Sequence, residues 1–462
     1  MPLTPDEWLN RLTAQMDFDR ARLRLLRSYM DGNAPLPEGA DGCRDAYQQF
    51  QRKSRTNFGE LIVDAVVERM TISGFRVGGS HTDDDTARRI WKRWRGKVGS
   101  ADVHRDMVGL STGYVMVQPS EAGAVITYER PEQAIAEVDP LNPNITRAGL
   151  KVYRDAPERF DRAFLHLPGA VFVYQRAFDA DPARAANQQP VLTASGGWEL
   201  VDVRESGQNF VSLFPFANRD SKGEFETHLD VLDRINWGIL QRLVITAMQA
   251  YRQRGVKGDM PDEDEDGNEI DYAEMFRPGP GSLWRLPEGA ELWESQSTDL
   301  TPILSGSKDD ITHLAAVTRT PMAALMPDGA NQTAEGASFA REGLVSKTND
   351  RVNRATPVWD AVMGAALAIE QGMPDPIEDV ATQWLPIERR TLAERADAAS
   401  KATDIPWRTR MTDIWQYPAD QVDDMEEQRE RDAALAPRPI VVAAEQTSAP
   451  PSDAAEPAMG TT

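Results

Sequence analysis

Apolar positions recur at helical spacing near the start of the chain: Trp8, Leu12, Met16, Leu23 and Leu26 alternate with arginines across residues 5–30 and predict an amphipathic helix. The run "DGNAPLPEGADG" breaks it. A second helix fits "NFGELIVDAVVERM", and the alternation and glycines of "TISGFRVGG" predict a strand and turn. "DDDTARRIWKRWRGKV" then reads as a helix with an acidic start suited to the helix dipole, carrying Trp91 and Trp94 on one face with Ile90. From "GYVMVQPSEAGAVITYERPEQAIAEVD" to "GGWELVDVRESG", short alternating runs separated by Pro, Gly and Asn predict a β-rich region.

Helical periodicity returns at residues 226–254. One apolar row holds Leu232, Ile235, Ile239 and Leu243, and a second holds Trp237, Leu240, Val244, Met248 and Tyr251. Such a helix would run about 40 Å, and two rows give it packing neighbours on two sides. "GVKGDMPDEDEDGNEIDYAEM" follows with nine acidic residues against one lysine, then "GSLWRLPEGAELWE" as strand, turn and strand. A shorter helix is expected from about Ser307 to Pro321. The turn-former cluster in "TPMAALMPDGANQTAEGASFAREGL" leads into one long helix with Glu335 in its first turn, a kink at Pro357 and an end at Gly372 and Pro374. Two further helical pieces precede a tail from Pro437 that has five prolines and no aromatic residue and reads as disordered.

The 462 residues suffice for several domains, and 40% hydrophobic composition suffices to bury cores. Lysine and arginine number 51 against 73 acidic residues, a net −22 that repels phosphate backbones and anionic membranes. Cys43 is the one cysteine, which rules out an internal disulfide and fits a reducing cytoplasm. The start lacks a signal-peptide profile and no apolar run matches a bilayer span, so a soluble protein without a membrane partner is expected.

Several motifs invite chemistry and fail on context. "GLSTG" matches the nucleophile elbow of serine hydrolases with Ser111 as nucleophile, but the pattern predicts helix before the serine and strand after it, the reverse of what an elbow needs. The segment from Asp262 places Asp264, Asp266 and Gly267 as in a calcium loop, whereas position 8 is Glu269 and position 12 is Ala273, so the bidentate glutamate is missing. A solvated acidic segment, Asp262, Asp264, Asp266 and Asp271, is the plainer expectation. His81 with Asp83, Asp84 and Asp85 reads as a helix cap rather than a metal site. No phosphate-binding P-loop exists, and no acid, base and nucleophile converge in sequence. No catalytic residue, cofactor or metal is expected, and the bottom-up expectation is a structural or assembly protein.

The order of these segments resembles tailed-bacteriophage portal proteins of the siphophage and actinobacteriophage type, over about residues 5–430. "WKRWRGKVGSADVHRDMVGLSTGYVMV" is similar to their tryptophan-containing helix, connecting helix and strand, and "TRTPMAALMPDGANQTAEGASFAREGL" to their tunnel loop and the start of the long helix. The resemblance implies an α+β portal fold with a mixed α/β wing, long stem helices, a small strand-containing clip, a long kinked helix and a helical crown. By position, the wing spans 1–225, the stem helix 226–254, the clip 255–299, the second stem helix 300–319, and the tunnel loop 320–335. The long kinked helix and second part of the wing span 336–389, the crown 390–436 and the tail 437–462.

It further implies a non-enzymatic dodecameric ring at one capsid vertex, in the virion after assembly and the host cytoplasm before it. Double-stranded DNA would pass through without sequence-specific binding, near Asp328, Gly329, Asn331, Gln332 and Thr333 of the tunnel loop. The implied partners are the terminase large subunit, major capsid protein, scaffold and head-completion or adaptor proteins. Another phage head–tail connector or minor capsid protein is the alternative, and a hydrolase on Ser111 a distant one.

Overall fold

Thr4 starts the first helix by a reciprocal cap: its hydroxyl accepts from the Glu7 amide while the Glu7 carboxylate accepts from the Thr4 amide. The computed structural model describes residues 3–37, 45–80, 82–178, 197–250, 254–258, 263, 271–272, 291–294, 298–326, 334–388 and 392–435. Helix α1 (Pro5–Met30) serves two cores. Its first half packs Trp8, Leu9, Leu12 and Met16 on a sheet through Leu150, Val152, Leu165 and Tyr174. Its second half sends Leu23, Leu26, Tyr29 and Met30 into the main core.

Helices α2 (Asp45–Lys53) and α3 (Phe58–Val67) lead to strand β1 (Ile72–Val77). Helix α4 (Asp85–Arg93) is capped by Asp84, whose carboxylate accepts from the Ala87 amide at 2.8 Å. Asp83 accepts from the Phe75 amide at 2.6 Å and pairs with Arg88 at 3.2 Å. Both aspartates thus serve local structure, as the cap expectation holds; His81 lies outside the described residues. Trp91 and Trp94 join an aromatic cluster, with Trp91 edge-on to Trp359 at 5.6 Å. The glycine at 96, in α5 (Gly96–Leu110), lets the Trp91 ring lie flush, since a Cβ there would stand 2.1 Å from it.

The β-rich region expected from alternation forms two antiparallel sheets. Strands β2 (Thr112–Ser120), β3 (Gly123–Glu129) and β9 (Leu213–Ala217) order as β3-β2-β9. Strands β4 (Ala134–Val138), β5 (Thr146–Asp155), β6 (Phe160–Leu167), β7 (Ala170–Ala177) and β8 (Glu199–Glu205) run in sequence order.

The stem sequence departs from expectation at its ends. A 3-10 turn occupies Glu226–His228, helix α6 spans Leu229–Ala250, and strand β10 already begins at Arg254, so the continuous helix 226–254 is corrected at both ends. Strand β10 (Arg254–Lys257) pairs antiparallel with β11 (Glu291–Glu294), a contact that a reading of local period cannot supply. Helix α7 (Thr301–Val317) starts before the expected Ser307, because Pro302 occupies the first turn, where a missing N–H costs nothing.

A one-turn helix α8 (Met322–Leu325) precedes helix α9 (Ala334–Gln371), which runs unbroken across Pro357 and packs on α3, β2, β3 and β9. Strand β12 (Val380–Trp384) then pairs antiparallel with β1, joining the two ends of the sequence in one core. Helices α10 (Leu392–Lys401) and α11 (Ala419–Leu435) follow. Arg408 pairs with Asp423 of α11, and Arg88 of α4 reaches the same carboxylate at 3.4 Å.

Candidate functional site

The candidate site is built around α6, α7 and the segment joining α7 to α9. Leu232, Ile235 and Leu240 of α6 are buried, which fixes one side of the helix against the subunit's own core. The two helices run antiparallel: Arg234 pairs with Asp310 at 2.8 Å, Gly238 abuts Ser307, and the Gln249 side chain donates to the Thr298 carbonyl at 2.7 Å. Gly238 is where the helices come together, a Cβ there lying 3.4 Å from the Ser307 hydroxyl.

The base of this pair is rooted in the rest of the fold by polar contacts. Tyr29 of α1 donates to Asp233 at 2.5 Å. Burial first, and then that carboxylate, push the Tyr29 hydroxyl pKa up, so it remains a donor at any working pH. Asn236, buried, accepts from both the amide and the hydroxyl of Thr56 at 3.0 and 2.8 Å.

The C-terminal end of α7 is held by α9. Lys347, 7% exposed, donates to the Thr318 carbonyl at 2.7 Å and lies 3.5 Å from Glu224. Arg351, one turn further along α9, donates to Glu224 at 2.6 Å. A cation at the carbonyl end of a helix satisfies an orphan acceptor and suits the dipole. Burial lowers the Lys347 pKa, Glu224 opposes that shift, and Arg351 adds to it. The Thr318 hydroxyl donates back to Leu314 at 2.7 Å, and Arg319 adopts φ 50°, so the chain turns sharply away from α7. Pro321 and α8 follow, with Leu325 buried. The joining segment therefore leaves from a fixed end.

The expected site residues fall unevenly on this frame. Trp237 is 39% exposed and Val244 half-buried, whereas Leu240 is 1% exposed and committed inside the subunit. Tyr251 and the side chain of Met248 lie outside the described residues, as do Asp328, Gly329, Asn331, Gln332 and Thr333. Of the acidic segment, Asp262, Asp264 and Asp266 are outside them too, and Asp271 is inside. Among the described residues no group of three or more His, Cys, Asp or Glu side chains could hold a metal ion. No described helix is long and apolar enough to cross a membrane.

Ser111 is 4% exposed, follows α5 and precedes β2, and takes a 3.4 Å contact from Arg22. Helix-then-strand is the order expected from sequence, and the one side-chain contact of the Ser111 hydroxyl among the described residues is a guanidinium, not a base.

The buried Lys347–Glu224–Arg351 cluster was not legible as a unit. A signal existed: Lys347 and Arg351 share a helical face with Leu344, Thr348 and Ala355, all buried, and two cations on an inward face need an acid. Which acid answers them is a tertiary fact.

The sequence is similar to known proteins over most of its length. The family model described as phage portal protein, SPP1 Gp6-like, matches residues 9–434. The chain is 23% identical over 403 residues to the portal protein of Mycobacterium phage L5, covering 81% of this chain and 77% of that protein. It is 22% identical over 420 residues to the portal protein of Mycobacterium phage D29, covering 85% and 81%. That family is a structural, non-enzymatic component of the capsid, concerned with DNA packaging. A match over nearly the whole chain makes this chain a member of the SPP1 Gp6-like phage portal protein family.

Proposed function

We propose that the chain assembles into a dodecameric ring at one capsid vertex and serves as the conduit for double-stranded DNA during packaging and ejection. Terminase would dock on it during packaging and head-completion or adaptor proteins afterwards, with the major capsid protein and scaffold around it. The observation that carries this reading is the family match running from residue 9 to residue 434, which takes in α6, α7 and α9 together with the folded regions on either side.

The physical chemistry is consistent. A conduit must not hold the polyanion it passes, and a net charge of −22 disfavours phosphate contacts made by counterion release. On this reading α6 and α7 form the stem and residues 255–299 the clip, whose base is the β10–β11 ribbon. Residues 390–436 form the crown, and the remaining α/β portion the wing. Residues 320–335, which begin with α8, are the tunnel loop, with Asp328, Gly329, Asn331, Gln332 and Thr333 toward the DNA. Negative-stain imaging of the purified full chain tests the assembly: rings with a central hole are expected, and monomers at every concentration and salt would overturn it.

A further inference from the structure

Helix α6 carries two unlike features on opposite sides. Between α3, α6 and α7 lies an open groove of about 540 Å³, walled mainly by Phe58, Ile235, Ile239, Leu304, Ile311 and Met326. Leu304 is 43% exposed on its lip. Arg242 and Lys308 are its charged lining residues, and neither has an ion pair among the described residues. Trp237 stands two residues from Ile235, about 200° around the helix at 3.6 residues per turn. Its indole is 39% exposed beside Leu36, 37% exposed, and the exposed Asp230 and Asp233 flank it on the same side of α6.

The two features are both apolar, and their margins carry opposite net charge. One is an apolar cleft with a basic margin; the other is a partly exposed apolar patch of Trp237 with Pro35, Leu36 and Pro37, whose margin holds Asp230 and Asp233 beside Arg234, itself paired with Asp310. Trp237 cannot reach its own subunit's groove, because a packed helix separates them. A second copy can bring it there. A contact that uses two different surfaces of each copy is head-to-tail, and repeated by rotation it closes into a ring. An indole is also the side chain most suited to anchor such a contact, through its large, rigid apolar area.

We propose, on the footing that the chain forms a ring, that Trp237 of each subunit seats in the groove between α3, α6 and α7 of its neighbour, with Asp230 and Asp233 approaching that neighbour's Arg242 and Lys308. The opposite faces of one stem helix then hold the ring together. Leu240, buried within the subunit, takes no part in that contact.

The decisive experiment is a mixing test on the full chain. Trp237→Asp removes the indole and leaves the groove, and Leu304→Glu spoils the groove and leaves the indole. Each variant alone should raise the concentration for assembly by roughly thirtyfold or more, the loss expected of an interface anchor. Mixed, they should form heterodimers and stop, since one good contact remains and each free end is defective. Circular dichroism confirms that the exposed substitutions leave the fold intact. As a second measurement, Trp237→Cys with Leu304→Cys in a Cys43→Ser chain, treated with a short bismaleimide, should give a covalent ladder in single-subunit steps. Either single-cysteine chain should give none. Rings formed normally by Trp237→Asp, or wild-type rings whose double-cysteine form gives no ladder, would overturn this contact and leave the ring standing. Dimers from a single-cysteine chain would show a two-fold contact instead. Wild-type chain that never forms rings would remove the ring reading and this contact with it.

Discussion

The ammonium of Lys347 donates to the carbonyl of Thr318 at 2.7 Å, tying the last turn of α7 to the middle of α9. Because Lys347 is also 3.5 Å from Glu224, the same side chain closes a helix end and shares a buried carboxylate with Arg351. Lys347→Met keeps the apolar stem of the side chain and removes both contacts. It should cost about 2 kcal/mol of stability in denaturant unfolding. Glu224→Gln added to it should lower stability further, because it leaves the buried Arg351 without that partner, but by less than the sum of the two single changes, because the groups are coupled. Arg354→Met, which removes a 41%-exposed partner of Asp350, should change stability by less than about 0.5 kcal/mol.

Two buried histidines set an acid limit. The His104 Nε2 accepts from the Trp359 indole at 2.9 Å, and burial holds the His104 pKa down to about 3. Burial, with Lys151 adding to it, holds His166 at about 4. In the unfolded chain both titrate near 6.5. Below that pH the unfolded chain binds protons that the folded chain refuses, so stability is full above about 6.5 and falls as pH drops toward 4 and 3. Each histidine contributes on the order of 1.4 kcal/mol per pH unit within its window. Chemical denaturation between pH 7.5 and 4.5 should show this decline. His104→Asn should flatten the pH slope as well as lower the plateau; an unchanged slope in that variant would show that His104 is not buried neutral.

Two helical glycines should respond oppositely to alanine. At Gly364 in α9 a Cβ would stand 2.2 Å from the Ile377 carbonyl oxygen, a backbone atom with no rotamer to escape into. Gly364→Ala should destabilise by about 1–3 kcal/mol, as overpacking does. At Gly306 in α7 a Cβ meets nothing within 4 Å. Gly306→Ala should stabilise by about 0.5–1 kcal/mol through helix propensity. Thermal unfolding of the two variants side by side checks both signs.

The segment between α8 and α9 should affect passage of DNA rather than assembly. Asp328, Gly329 and Asn331 are turn formers that permit changes of backbone shape. Gly329→Pro, or shortening residues 328–334, should leave rings intact and reduce packaged DNA. Proheads assembled with the altered portal, given terminase, ATP and linear DNA, report the nuclease-protected genome. Full protection would remove this segment from the mechanism.

The sequence by itself determined what depends on neighbours along the chain. The extent of α1 follows from the Thr4–Glu7 cap and the spacing of Trp8, Leu12 and Met16, and Asp84 marks the start of α4. The helix-then-strand setting of Ser111 was enough to set aside hydrolysis before any contact was known. The order of segments carried the resemblance to the portal family. Pro302 shows the limit of local reading: proline ends a helix inside it but starts one at the first turn, and only the packing of α7 against α6 shows which applies.

Tertiary structure decided everything that joins distant residues. Ile72 faces Trp384 across a ladder, and β10 finds β11, because pairing depends on which edges the folded chain brings together. Leu240 and Trp237 belong to one apolar row in sequence, yet one is buried and the other 39% exposed. Periodicity gives a residue's angle around its helix; which angle meets the core is set by the neighbouring elements. Lys347 likewise shows only that its face is inward; its partners Thr318 and Glu224 are named by the fold.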